Sequence, residues 1–255
     1  MSAATPQKPI NGSIHCFFNP EGDHTMSAGH TMGYKMTHDN GFAPNPFHGY
    51  LTLATCKPAL RRNRGKGEWV AGFASQALCH SAREQGVAIP YMGLIYLMEI
   101  TEEPIPTGAY FNDTRFAAKK PKPDSPKAIE RCGDNIYEPL GDGRFHQLLN
   151  DFHFDEPQTP VEHSHMQHDL SGERVLVSSH FWYFGRKCWV PKGGWDRLLG
   201  DVHLSEARTF WCPDNFASKV SVQLALDGIR AGILGDPCLW EGDAAGRSGG
   251  CQSSC

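Results

Sequence analysis

The side chains best suited to chemistry in this chain are two histidine–aspartate pairs and one cysteine. His38 and Asp39 open a long polar segment, Cys56 closes the apolar stretch behind it, and His168 and Asp169 repeat the pairing downstream. A carboxylate beside an imidazole fixes its tautomer and raises its basicity, and a cysteine near a histidine can become a thiolate nucleophile. These five residues are the candidate catalytic groups. Sequence adjacency leaves their contacts open, because neighbouring side chains of a strand point to opposite faces.

A basic run follows Cys56. Residues 57–66 contain five Lys or Arg side chains and no acid, beginning with Lys57, Arg61 and Arg62. Arginine forks match phosphate oxygens and lysine supplies a compact charge, so this run predicts contact with a nucleotide phosphate or a DNA backbone. A solvated turn between strands is the alternative interpretation.

Two further motifs offer groups that could read a base. Asp134 and Asn135 supply an acceptor and a mixed donor and acceptor, which suit the edge of a nucleobase; a turn in which Asp134 bonds its own backbone is the alternative. Residues 180–184 are rich in aromatic side chains, among them Tyr183, and one ring could stack on a base. At least half of these rings are expected in the core, because a sheet buries one face of every strand.

An acidic, histidine-rich segment raises the question of a metal. Residues 151–173 contain no Lys or Arg, and His163, His165, His168 and Asp169 lie close together there. Imidazoles and a carboxylate are suitable ligands for Zn²⁺, Fe²⁺ or Mn²⁺, but the spacing matches no established motif. We therefore predict no cofactor, with a divalent metal at these four residues as the alternative.

The polar segment at residues 37–49 is the loop that must position these groups. It contains Gly41 and Gly49, which can take positive φ, and Pro44 and Pro46, which fix φ. We expect it to fold back along the following strand, so that His38, Asp39 and Asn45 approach the basic turn at residues 57–62. Together these segments would form one wall of a pocket with a gap the size of a phosphate. A loop that only covers an edge strand is the alternative.

Short strands separated by irregular connections predict the fold. Apolar runs indicate strands at residues 50–55, 69–74, 94–100, 175–178 and 180–184, all expected in one central sheet. Helices are predicted at residues 111–118 and 215–231. The pattern favours an α+β domain with a strongly bent, mainly antiparallel sheet or a small barrel, and with few peripheral helices. Residues 1–31 are predicted to be a flexible leader, residues 32–240 the domain, and residues 241–255 a disordered tail.

Composition and missing motifs argue against several classes of protein. The chain has 255 residues, 40% of them hydrophobic and 20% charged, with a net charge of −4, so no global basic field drives nucleic-acid binding. No stretch is apolar enough for a membrane helix, and no signal peptide is visible, which predicts a cytoplasmic protein. The nine cysteines include no C-x-x-C pair and are expected mostly as free thiols. Walker A, Rossmann, zinc-deaminase and G-x-S-x-G motifs are all lacking.

Several long strings resemble a known family. They begin with YKMTHDNGFAPNPFHGYLTLATCKPALRR at residues 34–62 and continue with GEWV at 67–70, YLMEI at 96–100, RCGDNIY at 131–137 and HDLSG at 168–172. Over roughly residues 32–240 the chain resembles the nucleotide modification associated domain family, second type. The resemblance implies an association with DNA base modification and with phage–host conflict. The strands around GEWV also look like the core of modified-base readers of the EVE and PUA kind.

Two functions are compatible with these patterns. The first is a module that recognises a nucleotide or modified base, with Asn45, Lys57, Arg61, Arg62, Asp134, Asn135 and Tyr183 as its contacts. The alternative is an enzyme that modifies such a nucleotide, with the histidine, aspartate and cysteine candidates in the same pocket. Because no recognisable catalytic set is present, the sequence favours recognition and leaves enzyme status open.

Overall fold

The computed structural model describes residues 30–153 and 162–243. The predicted leader and tail lie almost wholly outside these residues, so both stay predictions. The described strands, in chain order, are β1 (Thr31–Met36), β2 (Leu51–Leu53), β3 (Trp69–Ala74), β4 (Leu94–Glu99), β5 (Ile105–Pro106), β6 (Tyr137–Pro139), β7 (Phe145–Gln147), β8 (Arg174–Ser178), β9 (Phe181–Tyr183), β10 (Thr209–Trp211) and β11 (Gly232–Ile233). The described α-helices are α1 (Pro58–Asn63), α2 (Gln76–Glu84), α3 (Thr107–Asn112), α4 (Ala128–Arg131), α5 (Glu162–Leu170), α6 (Gly194–Leu199) and α7 (Phe216–Leu226).

The largest sheet has six strands in the order β10–β1–β3–β4–β9–β11. β1 runs parallel to β3 and β9 parallel to β11, and the other neighbours are antiparallel. Among the described residues its edge strands β10 and β11 do not pair with each other, so the sheet is not closed into a barrel. The predicted α+β class with mainly antiparallel pairing is therefore confirmed, and the alternative of a small closed barrel is wrong.

A second sheet corrects one expectation about the core. Residues 50–55 and 175–178 were expected in the central sheet, but β2 and β8 pair with each other in a separate sheet of order β2–β8–β5. β6 and β7 form a small hairpin. The change of sheet takes place at the turn between β8 and β9, where the Ser178 hydroxyl bonds the backbone N–H and C=O of His180. This turn sends β9 into the large sheet beside β4.

Both faces of the six-stranded sheet are buried at its centre. All six residues of β3 are buried, as expected for a strand covered on both sides. One face carries Tyr34, Tyr96 and Tyr183 under α1 and α2, and the other carries Phe73 under α6 and α7. Gly72 permits this packing, because a Cβ there would lie only 2.4 Å from the Tyr96 ring.

The helices are more numerous than the two predicted. The helix expected at residues 215–231 is α7, and the one expected at residues 111–118 is divided between α3 and the following 3₁₀ helix, Thr114–Lys119. α2 begins at the Ser75 side chain, which accepts the Leu78 N–H at 3.1 Å. α1, between β2 and β3, is the helix that positions the candidate site.

Candidate functional site

The corner between β2 and α1 has an unusual backbone. Cys56 and Lys57 both take the left-handed conformation, with φ of 55° and 44°. Residues with a Cβ adopt positive φ rarely and at a cost on the order of 1–3 kcal/mol each, so surrounding contacts must hold them there. Such strain is concentrated at functional sites.

The Asp169 carboxylate holds this corner. It is 1% exposed and accepts hydrogen bonds from the Cys56 N–H at 2.6 Å and from the Tyr137 hydroxyl at 2.9 Å. The Nε2 atom of His153 lies 2.9 Å from the carboxylate. Burial alone would raise the pKa of Asp169, but His153, Tyr137 and the Cys56 amide together hold it below its usual range.

Arg61 completes the support from inside the protein. Its guanidinium is fully buried and donates to the carbonyl oxygens of Cys56 and Arg174 at 2.8 Å and 2.9 Å, and also to the carbonyl of Asp169. All three nitrogens of the group are thereby engaged. The assignment of Arg61 to a phosphate stays a prediction, but the observed position makes this side chain a clamp between α1, α5 and β8.

Gly172 provides the room for that guanidinium. A Cβ at this position would lie 2.5 Å from the Arg61 guanidinium carbon. We expect Gly172→Ala to lower the free energy of unfolding by about 1–3 kcal/mol, the usual cost of overpacking a core. Gly65→Ala is the matched control, because its Cβ would meet nothing closer than 3.8 Å. Urea unfolding that shows equal stability for the two variants would contradict this packing.

The Cys56 thiol is half-buried in the corner. Burial raises its pKa to about 11, and the negative charge of Asp169 adds to this effect. The thiol is therefore protonated at neutral pH, whereas a cysteine nucleophile must be a thiolate. The six cysteines among the described residues are free thiols, which confirms that prediction for this part of the chain.

The histidine and the aspartate of each His–Asp pair lie in different surroundings. Asp39 is buried and accepts from the Tyr183 hydroxyl at 2.5 Å and the Cys238 N–H at 2.9 Å, while the exposed His38 has its Nδ1 atom 3.2 Å from the Thr37 hydroxyl. Burial raises the pKa of Asp39. In α5, Asp169 points inward and His168 outward. The catalytic roles of these residues and a base contact of Tyr183, which is fully buried, stay predictions.

The predicted metal ligands all lie on one helix, α5. His165 and Asp169 are four residues apart in α5, and the His165 ring stacks on His153 at 5.7 Å. His163 lies outside the residues whose side chains are described. Within the described side chains, no three His, Cys, Asp or Glu residues form a group that could hold a metal ion. The alternative of a divalent metal therefore stays untested.

The loop at residues 37–49 does fold back along β2. Asn45 and Thr52 exchange two backbone hydrogen bonds of 2.9 Å, so the loop returns alongside the strand that follows it. The Asn45 side chain then bonds Lys119 and the Cys132 carbonyl inside the protein. Whether this loop forms a pocket wall stays a prediction.

The other predicted base-reading residues belong to the same buried network. Asp134 accepts from Thr52 at 2.6 Å and from Tyr110 at 2.8 Å, and Asn135 donates to the carbonyls of Tyr110 and Phe116. Their polar groups are thus bonded internally, which makes this network structural support for β2 and the corner. Contact of Asp134 and Asn135 with a base remains a prediction.

Two cations emerge on the outer side of the corner. Lys57 is half-buried, with its Nζ atom 4.6 Å from the centre of the Tyr34 ring, and Arg208, which is exposed, lies near it from the segment before β10. Burial lowers the pKa of Lys57 and the charge of Arg208 lowers it further. Among the described side chains no carboxylate lies within 4.0 Å of either cation, and the nearby acids Glu68 and Glu206 are bonded to Arg64 and Lys35. Such a pair favours a bound anion.

The basic run is therefore divided by the fold. Arg61 points inward, while Arg62 is exposed and donates to the Ser171 carbonyl at 2.6 Å. Arg208 is the site residue that sequence reasoning missed. It is separated from Lys57 by some 150 residues of chain, and only the pairing of β1 with β10 brings the two together. No local signal distinguishes it from any other surface arginine.

Comparison with known proteins places most of the chain in one group. A family model described as nucleotide modification associated domain 2 matches residues 30–237, which confirms the resemblance seen in the sequence. No match was found among curated proteins or among solved structures. In the described part of the chain, none of the helices has the length and apolar character needed to cross a membrane.

Proposed function

The chain belongs to the nucleotide modification associated domain 2 family, and we propose that it recognises a nucleotide through its phosphate at Lys57 and Arg208. The observation that carries the proposal is a pair of neighbouring cations at a strained corner, one of them half-buried, with no carboxylate partner among the described side chains. The setting we propose is DNA base modification in the cytoplasm, including phage–host conflict, which the family name supports only at the level of nucleotide modification.

A phosphate satisfies both cations at once. Two like charges in a partly desolvated position repel each other, and an anion between them removes that repulsion while gaining charge-assisted hydrogen bonds. Lysine offers a compact charge and arginine a planar fork, a combination suited to a phosphate group. The Asp169 and Arg61 contacts fix Lys57 before the ligand arrives, so little ordering entropy is lost on binding.

We favour recognition over catalysis on this site. The one nucleophile at the corner, Cys56, has a pKa of about 11 and is a neutral thiol at physiological pH. Asp39, another candidate base, is inside the protein and bonded to Tyr183. The enzyme alternative requires a bound nucleotide to be converted, which mass spectrometry of the incubated ligand detects. A product that forms with the wild type and does not form with Cys56→Ala would establish the enzyme alternative.

The binding site is tested by neutral substitutions that keep side-chain length. We expect Lys57→Gln and Arg208→Gln each to weaken the binding of nucleoside phosphates by about 10- to 100-fold, because each removes a charged hydrogen bond. Titration calorimetry measures the change, and identification of nucleotides that copurify with the protein supplies the ligand. Lys192→Gln, an exposed lysine, is the control. Equal affinity of the two variants and the wild type would overturn the proposal.

A further inference from the structure

Trp211 is an exposed aromatic side chain beside the proposed phosphate site. It is 52% exposed, and the other exposed large hydrophobic side chains of the described residues are all aliphatic. It lies on β10, an edge strand of the six-stranded sheet. An indole held in water offers a large, flat surface whose burial against a ligand is favourable. The core does not use this surface.

The indole is held in a fixed orientation. The Arg64 guanidinium lies 4.6 Å from the indole ring centroid, and Arg64 is itself 15% exposed and bonded to Glu68 at 2.7 Å. The His30 ring contacts the indole edge-on, with centroids 5.8 Å apart. Because Arg64 is engaged in this way, it positions the ring and is not a free phosphate contact. A ring fixed before binding loses little entropy when a ligand stacks on it.

The ring and Lys57 lie on the same side of the sheet. In the register of β1 and β10, Trp211 is opposite Met32 and Thr209 is opposite Tyr34, while Phe210 between them packs into the core on the other face. Lys57 covers Tyr34, so the indole and Lys57 are separated along the sheet by two strand residues, or about 7 Å. Arg64 and Lys57 flank the two ends of α1. Base stacking and phosphate binding can therefore take place on one continuous surface.

We infer that Trp211 stacks on the base of the bound nucleotide, and that this base is outside a duplex. The inference rests on the proposed function of Lys57 and Arg208. Within a B-form duplex the grooves expose only the edges of the bases, because each face is covered by its neighbours. A flat indole on an edge strand needs an uncovered face, which a free nucleotide, a single strand or an extruded base provides.

The charge of the site agrees with a small ligand. The chain has a net charge of −4, and the two cations of the proposed site, Lys57 and Arg208, can neutralise few phosphates. For a single strand the slope of log affinity against log salt is about −0.7 per phosphate, so one phosphate held by both cations predicts a slope near −0.7. Binding along a duplex backbone would give a much steeper dependence.

The experiment compares four ligands with wild type and variants. They are a deoxynucleoside monophosphate, ribose 5-phosphate, a labelled single-stranded oligonucleotide and the same sequence as a duplex. We expect Trp211→Ala to weaken the binding of the nucleotide and of the single strand by about 10- to 100-fold. The affinity for ribose 5-phosphate should not change. Trp211→Phe should retain most of the affinity. Leu226→Ala, which removes a side chain 76% exposed, is the control.

The outcomes separate the inference from the proposal beneath it. If ribose 5-phosphate binding depends on Lys57 and Arg208 but Trp211→Ala binds nucleotides like the wild type, the phosphate site stands and the stacking role is wrong. A duplex that binds as tightly as the single strand also overturns the inference. A Trp211→Ala variant that changes only the oligomeric state in sedimentation would assign the indole to self-association. If none of the four ligands binds, both the proposed phosphate site and the stacking role of Trp211 are wrong.

Discussion

Replacement of Asp169 by alanine is expected to lower the free energy of unfolding by about 3–5 kcal/mol, the range for breaking a buried charged network. The substitution leaves the Cys56 N–H and the Tyr137 hydroxyl without their acceptor and removes the carboxylate that His153 faces. It also releases the strained corner, so nucleotide affinity at Lys57 should fall with stability. Asp169→Asn keeps an acceptor oxygen, so it should lower the free energy of unfolding by less than Asp169→Ala does.

The pH dependence gives this prediction a definite sign. The contacts hold the pKa of Asp169 below its ordinary value of 3.8. The folded state therefore favours the ionised form, and the stabilisation is fully present above about pH 4 and is lost as pH falls through the folded pKa. The stability difference between wild type and Asp169→Ala should shrink on acidification in urea unfolding. Asp124→Ala, an exposed aspartate, is the control. A difference independent of pH would contradict the assignment.

Lys119→Ala is the second substitution with a large expected effect, again about 3–5 kcal/mol. Lys119 is fully buried, and its Nζ atom donates to the Asn45 carbonyl at 3.0 Å, to the Asn45 side chain at 2.7 Å and to the Tyr50 carbonyl at 2.9 Å. Removing the ammonium leaves these acceptors unbonded and leaves Asp134 without a neighbouring cation. Because these bonds join the 3₁₀ helix to the folded-back loop, the variant should also loosen residues 37–49.

Lys119 provides a second test by titration. Burial lowers its pKa to about 8, so between pH 8 and about 10.5 the unfolded chain binds more protons than the folded one. Stability from this group therefore rises with pH, by about 1 kcal/mol between pH 7 and pH 9. Lys119→Met keeps the side-chain volume and removes the titrating group. The free energy of unfolding of the wild type should therefore rise relative to that of this variant over the same pH range. Parallel stability curves for the two proteins would show that Lys119 does not titrate as described.

The two networks explain why a basic run is a poor guide to a binding surface. Arg61 and Lys119 belong to Lys- and Arg-rich stretches that look solvated in the sequence, and both are fully buried in the structure. A buried cation requires acceptors, and here these come from residues far along the chain: Asp169 and Arg174 for Arg61, Asn45 and Tyr50 for Lys119. An Arg61→Ala variant would consequently report on stability before it reported on phosphate binding. Lys57 and Arg208 are the better probes of ligand binding.

The sequence by itself determined the family, the α+β class and the strands whose pattern is local. The continuous apolar run at residues 69–74 has the bounds of β3, and the helical spacing after residue 215 located α7, because strand and helix periodicities are properties of neighbouring residues. The turn residues of the loop at 37–49 also predicted that it folds back on β2. Only the tertiary structure decided that β2 and β8 leave the main sheet, that Arg61 points inward, and that Arg208 and Trp211 join Lys57. Each of these depends on pairing or packing between residues distant in the chain, and those contacts have no signature in the local pattern.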